Sequence, residues 1–271
     1  MIRFLILAGY FELTMYLQLS GKLNQYINLH YSYLAYISMF LSFVLALVQL
    51  IIWVKQMKIH SHLSGFWAKV ASIFLLCIPL FVGLFFPTVT LDSQTVSAKG
   101  YHFPVAAGSS KEIQQDEGTT TQYLKPDTSS YFTKSAYESE MKQAAKKYVD
   151  KKVIQVTTEN YMEVMEVLYD YPDQFAGKTI ELTGFVYNDP NNKDSQFLFR
   201  FGIIHCIADS GVYGLLTTGA PQHFENNTWI HAKGTLSIEY HKQLKQSLPV
   251  LHISDCQTIT KPDNPYVYRV F

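Results

Sequence analysis

Between Phe4 and Leu91 the chain carries only five charged side chains, Glu12, Lys22, Lys55, Lys58 and Lys69, and they leave three long apolar runs. Crossing the ~30 Å hydrocarbon core of a bilayer takes about 20 mostly apolar residues in a helix. Ser32 to Val54, with FLSFVLALVQLIIWV, and Val70 to Leu91, with ASIFLLCIPLFVGLFF, carry no charge; Phe4 to Leu19 carries Glu12 alone. Uncharged runs of this length are rare in water-soluble folds, so three spans are predicted, at about 4–20, 32–54 and 70–90, within a transmembrane domain of residues 1–91. The first run follows Arg3 as the core of a signal peptide does. No small-x-small cleavage site follows it, however, and the apolar pattern continues through LTMYLQL, which reads as a retained helix.

Orientation follows from Lys and Arg near the helix ends. A cytoplasmic second loop, carrying Lys55, Lys58 and Lys69 and bracketed by Trp53 and Trp67, also brings Arg3 inside and leaves Lys22 outside. The chain is then a multi-pass protein of the cell membrane, with the amino terminus cytoplasmic and everything after Leu91 extracytoplasmic. Glu12 is the ionisable group at mid-span depth, where a carboxyl either has a function or turns into a protein interior.

Whole-chain charge balances at zero, with 22 basic and 22 acidic residues. That balance offers no basic field for nucleic acid. Residues 92–131, including SSKEIQQDEGTTTQ, show no hydrophobic period and read as a flexible linker. Residues 132–157 place Tyr137, Met141, Ala144, Ala145 and Tyr148 at three-and-four spacing, a helical arm. Residues 158–271 read as a β-rich domain. A helix from Thr158 to Phe175, with Asn160 and Glu163 as a capping box, precedes five strand signals: KTIELTGFVYN, SQFLFRFGII, HCIADSGVYGLLTTG, NTWIHAKGTLSIEY and LPVLHISDCQTIT. The turn clusters NDPNNKD and GAPQHFENN separate strands, and Gly184 and Gly234 fit bends or bulges. The fold class expected is an α-helical membrane domain plus an extracytoplasmic OB-like five-stranded barrel with a preceding helix.

The densest polar stretch, RFGIIHCIADS, contains Arg200, His205, Cys206 and Asp209. With His231 and His252 these supply zinc-type ligands. Adjacent strand residues point to opposite faces, which separates His205 from Cys206. His252 and Cys256 share a face but stand ~13 Å apart. A metal site would therefore draw His205, Cys206, Asp209, His231 and His252 from several strands. The alternatives are polar residues scattered on a structural barrel, or a Cys206–Cys256 disulfide in an oxidising compartment. The chain has no C-x-x-C, G-x-S-x-G, phosphate-binding glycine loop or H-E-x-x-H, so no enzyme is expected.

Six segments, SGKLNQYINLHY, PTVTLDSQTVSAKG, FAGKTIELTGFVYN, FRFGIIHCIADSGVYGL, NTWIHAKGTL and KPDNPYVY, resemble in order and spacing the YcgQ-like family of bacterial membrane proteins, described as permease subunits of unknown function. The resemblance covers nearly the whole chain. Family members show CC-x-A-D where this chain has HCIAD, so His205 stands in the first cysteine place; the exchange keeps a zinc ligand but removes one thiol. The resemblance implies a multi-pass permease partner and points towards zinc or another divalent ion. Three helices without inverted repeats are few for a transporter acting alone. The expected function is that of an accessory subunit of a membrane permease, with an extracytoplasmic ligand- or partner-binding domain engaged in metal-ion handling. The alternative is a structural membrane-assembly protein without a small-molecule ligand.

Overall fold

The computed structural model describes residues 1–57, 65–86, 89–101, 134–190, 196–241 and 246–269. They divide into two compact units, Met1–Thr90 and Leu91–Phe271.

The first unit holds helices α1 (Ile2–Leu19), α2 (Ser32–Val54) and α3 (Phe66–Phe85), each long and apolar enough to cross a membrane. The third helix begins four residues before the apolar run, so Lys69 lies in its first turn. Contacts between these helices use small residues, as packing in lipid favours. Leu80 of α3 lies over Gly9, and Leu13 of α1 lies over Gly83. Tyr10 Oη donates to the Leu76 carbonyl of α3 at 2.9 Å, one turn before Pro79. Phe11 and Phe43 pack α1 on α2 with ring centroids 5.3 Å apart. Of these three helices, only Ile6 and Ala46 are buried; most other apolar side chains face outwards.

The second unit is a sheet covered by helices. Its strands are β1 (Val153–Gln155), β2 (Thr179–Asn188), β3 (Gln196–Ile203), β4 (Gly211–Thr218), β5 (Trp229–His241), β6 (Gln246–Thr258) and β7 (Val267–Tyr268), in the order β1-β2-β5-β6-β4-β3-β7. β2 changes partner along its length. From Thr179 to Phe185 it pairs antiparallel with β5, and from Phe185 to Asn188 with β3. Each strand from β2 to β6 therefore has a paired neighbour on both sides, with β4 and β6 parallel. The five expected strands are present. Gly234 sits at a register shift against β6, as a bulge requires. The short parallel strands β1 and β7 were not foreseen; two or three residues are too few to show a period.

The helices α4 (Ser93–Lys99), α5 (Lys134–Val149), α6 (Tyr161–Asp170) and α7 (Pro172–Phe175) change three expectations. First, the linker predicted from residue 92 starts as ordered structure. Asp92 caps α4 by accepting from the backbone N–H groups of Gln94 and Thr95. Val96 is fully buried, Ser93 N donates to Asn227 Oδ1, and Leu91 N donates to Tyr266 Oη. A seven-residue helix completes about two turns, too few to display a hydrophobic period. Residues 102–131 of the expected linker lie outside the described residues, as do 191–194 of the NDPNNKD turn. Second, the expected arm belongs to the core. Met141, Ala144, Ala145 and Tyr148 of α5 are buried beside α6. Third, the expected capping box is absent. Asn160 Oδ1 accepts from Thr157 N, ahead of the helix. Glu163 accepts from Lys147 Nζ and Tyr148 Oη of α5. The predicted single helix also breaks at Pro172, which cannot donate an N–H. Tyr161, Met162, Val164, Met165, Val167 and Leu168 of α6 are all buried in the core.

Candidate functional site

The HCIAD segment forms the turn between β3 and β4. Asp209 organises it. Its carboxylate accepts from the backbone N–H of His205 at 3.0 and 3.1 Å, from Cys206 N at 3.1 Å, and lies 2.7 Å from His205 Nδ1. In return the Cys206 side chain accepts from the Asp209 backbone N–H, completing a capping box around the 3-10 turn Ile207–Asp209. Lys99 of α4 reaches this turn, its Nζ 3.3 Å from both the carbonyl and the hydroxyl of Ser210. The His205 imidazole, 54% exposed, stands on the surface beside the carboxylate that orients it.

His231 and His252 belong to other clusters. His231 on β5 has Nδ1 2.9 Å from Thr183 Oγ1 and Nε2 2.9 Å from Glu181 Oε1. His252 on β6 has Nδ1 2.7 Å from Thr218 Oγ1, and Nε2 2.8 Å from Ser237 Oγ and 2.6 Å from Glu239 Oε1. Both imidazoles thus use both nitrogens within cross-strand polar clusters. Among the described residues no group of three or more His, Cys, Asp and Glu is arranged to hold a metal ion. His205, Cys206 and Asp209 come together, but as a self-satisfied turn. His231 and His252 do not join them, so the five-residue centre expected from the sequence is not assembled.

Cys77, Cys206 and Cys256 are free thiols, so Cys206 and Cys256 are not bridged. Cys206 caps the turn, whereas Cys256 pairs in register with Ala232 across β5 and β6. Burial, helped by the neighbouring Asp255 charge, pushes the Cys256 thiol above its usual pKa.

The sequence reading does not link Ser237, Glu239 and Thr218 to His252, although the alternation Thr235, Ser237, Glu239 along β5 puts Ser237 and Glu239 on one face. Ser237 and His252 resemble a nucleophile and its base. However, the same imidazole nitrogen also meets Glu239, and these strand positions belong to the paired β5–β6 ladder. A stabilised oxyanion needs spare, converging N–H donors. The cluster is accounted for as cross-strand pairing on an exposed sheet face.

Arg200, at the start of the polar stretch, is buried and structural. Nε donates to the Pro265 carbonyl at 3.2 Å, Nη1 to Thr158 Oγ1 at 3.0 Å, and Nη2 to the Asn264 and Tyr266 carbonyls at 3.1 Å each. The guanidinium also lies against the rings of Tyr161 and Trp229. Burial lowers its pKa without threatening its charge. It fastens the closing segment to β3.

Charged side chains line a cleft in each unit. In the first unit a cleft of about 860 Å³ is lined by Arg3, Gln49, Trp53, Gln56, Lys69 and Ser72, among others. In the second unit a cleft of about 220 Å³ gathers Glu140, Glu159, Glu163 and Glu166 with Arg269, whose Nη1 is 2.9 Å from Glu166 Oε1. Burial works to raise the Glu163 pKa, but hydrogen bonds from Lys147 and Tyr148 outweigh it and the net shift is downwards.

Glu12 lies within two residues of the middle of α1 and is exposed. It makes no hydrogen bond or ion pair with the described residues. An ionised side chain at the centre of a span costs about 2.5–3.5 kcal/mol on insertion scales.

The chain matches the DUF1980 N-terminal domain over residues 2–102 and the DUF1980 C-terminal domain over residues 131–269. A Streptococcus mutans protein named "Putative two-component membrane permease complex subunit" is 67% identical over 271 residues, covering 100% of both chains. The "UPF0703 protein YcgQ" of Bacillus subtilis is 40% identical over 291 residues, again covering 100% of both. These matches bear out the resemblance read from the sequence. No solved structure matches.

Proposed function

This chain belongs to the DUF1980 family, and from that premise we propose that it is an accessory subunit of a membrane permease complex, acting beside a multi-pass partner. The observation that carries this reading is the whole-length, 67% identical relative named as a subunit of such a complex. The poor mutual burial of the three helices supports it, since α1, α2 and α3 leave most of their apolar surface for lipid or other helices. Lys55 and Lys69 flank the loop between α2 and α3, and the positive-inside rule reads that loop as cytoplasmic. In this reading the amino terminus is cytoplasmic and the second unit extracytoplasmic.

We read the second unit as an OB-like barrel. The circuit of pairings β2–β5–β6–β4–β3–β2, with β4 and β6 parallel, supports closure, although the helix here precedes the strands. Its surface contact for ligand or partner is assigned to the HCIAD turn, where the exposed His205 is held in place by Asp209.

Purification of the tagged chain from native membranes, with co-purifying proteins identified by mass spectrometry, tests the reading. It requires an integral membrane protein in stoichiometric amount; a chain that purifies alone from mild detergent overturns it. A reporter active only outside the cytoplasm, fused after Phe271, should be active. Stoichiometric zinc on the purified chain, lost in Cys206→Ser, would direct the same turn to metal handling instead of partner contact.

A further inference from the structure

We infer that the outward face of α1 seats a membrane helix of the permease partner, and that Glu12 pairs there with a basic side chain of that helix at mid-bilayer depth. The inference rests on the permease-subunit reading and deepens it.

Three observations carry it. The first is geometric. Gly9, Tyr10 and Leu13 of α1 meet α3, and Phe11 meets α2. The opposite side presents Leu5, Glu12, Met15 and Leu19, all exposed, with half-exposed Ala8 between them. Positions 5, 8, 12, 15 and 19 alternate three-and-four spacing, the spacing of a seam between packed helices. A small residue in such a seam lets two helices approach closely in lipid.

The second is chemical. Glu12 has no partner among the described residues, and hydrocarbon offers none. A polar residue in a packing seam also fixes register, because only one alignment satisfies it.

The third is charge complementarity, which decides between occupants. A second copy of this chain, packed in parallel through the same stripe, would set Glu12 against Glu12 at one depth, like groups that can pair only by keeping a proton between them. A helix bringing Lys, Arg or His to that depth satisfies the carboxylate and leaves the pair neutral overall.

The test uses the full chain in its native membrane. A photo-crosslinking amino acid is placed at Leu5, Met15 or Leu19, and at exposed Phe40 of α2 and Phe74 of α3 as comparison positions. The expected result is a crosslink from the α1 positions, and not from Phe40 or Phe74, to a spanning helix of another membrane protein, with a basic residue within one turn of the crosslinked site. Glu12→Leu should lower that crosslink about fivefold or more at unchanged levels of the chain, Glu12→Gln should lower it less, and Glu12→Lys with an acidic residue placed on the partner helix should restore it. Crosslinks to lipid only, to a second copy, or to a helix without a basic residue overturn the inference. If a membrane partner still co-purifies in any of those cases, the permease-subunit reading stands and only the α1 assignment fails. If no partner co-purifies with the unsubstituted chain, both fail.

Discussion

Removing the Arg200 guanidinium should loosen the whole carboxyl-terminal closure. Arg200→Met leaves the carbonyls of Asn264, Pro265 and Tyr266 without their donor. A buried acceptor stripped of its partner costs about 1–3 kcal/mol. Water reaching the chain end at Asn264, which is partly exposed, offsets part of that. A loss of about 3 kcal/mol is therefore expected, or roughly 6–12 °C in Tm for a unit of this size. Arg200→Lys keeps the charge, but a single ammonium cannot serve a planar set of four acceptors on two segments, so about half the loss should remain. The assay is thermal unfolding of residues 91–271, in which Trp229 is the sole tryptophan. Its ring lies 5.8 Å from the guanidinium, so its fluorescence reports the site itself. Arg200→Met should add little to a truncation after Asp263, since the truncation already removes the three carbonyls that the guanidinium serves. A Met variant within about 1 kcal/mol of the unsubstituted fragment, or full additivity with the truncation, would refute this account.

Residues 91–271 should unfold cooperatively, whereas 158–271, the boundary the sequence indicated, should not. The shorter piece lacks buried Val96, Met141, Ala144, Ala145, Tyr148 and Ile154, and equal stability of the two fragments in urea would count against that. Gly214→Ala would put a Cβ 1.9 Å from the Leu198 carbonyl oxygen, forcing β3 and β4 apart, and should lower stability by about 2 kcal/mol or more in the same assay. Burial raises the pKa values of Tyr161, Tyr169 and Tyr213, so the folded state holds protons that the unfolded chain releases near pH 10. Their contribution is fully present below pH ~10 and is lost as pH rises above it. Phenolate absorbance from these residues should therefore appear together with unfolding, and gradual ionisation near pH 10 in a fragment still folded by circular dichroism would contradict their burial.

What the sequence disclosed depended on the range over which each signal acts. The three membrane helices and the five long strands announce themselves because hydropathy and alternation accumulate over eight or more residues. α4 and β1 escape because each is too short to repeat its period often enough to be read, and their order comes from distant partners: Asn227 and Tyr266 for α4, and the edge of β2 for β1. The arm at α5 was seen as a helix but misplaced as an appendage. Its apolar spacing was already that of a core-facing helix. Glu163, read as a local cap, is taken instead by Lys147 and Tyr148, a tertiary override of a local pattern. The HCIAD segment shows the reverse error. Cys206 and Asp209 stand three apart, the spacing of a capping box, and the turn uses them so. Here the ligand-type residues crowded into five positions satisfy one another, and His231 and His252 on other strands do not join them.

That distinction bears on where interaction is to be sought. In the second unit the conspicuous polar groups are already spoken for: Asp209 by its own turn, His231 and His252 by cross-strand neighbours, Arg200 by the closing segment. The membrane unit differs. Among the described residues, the buried side-chain polar atom without a hydrogen-bond partner is Nε2 of Gln18, in α1. Glu12, exposed at mid-span, lies in the same helix. α1 is also the least apolar of the three. A polar group in lipid gains most from a neighbouring helix, because hydrocarbon provides no alternative partner. The least apolar of the three spans, exposing an unpaired carboxyl at mid-depth, is therefore poorly matched to lipid alone and well matched to assembly, which locates the most informative substitutions in α1 rather than in the histidine-bearing turn.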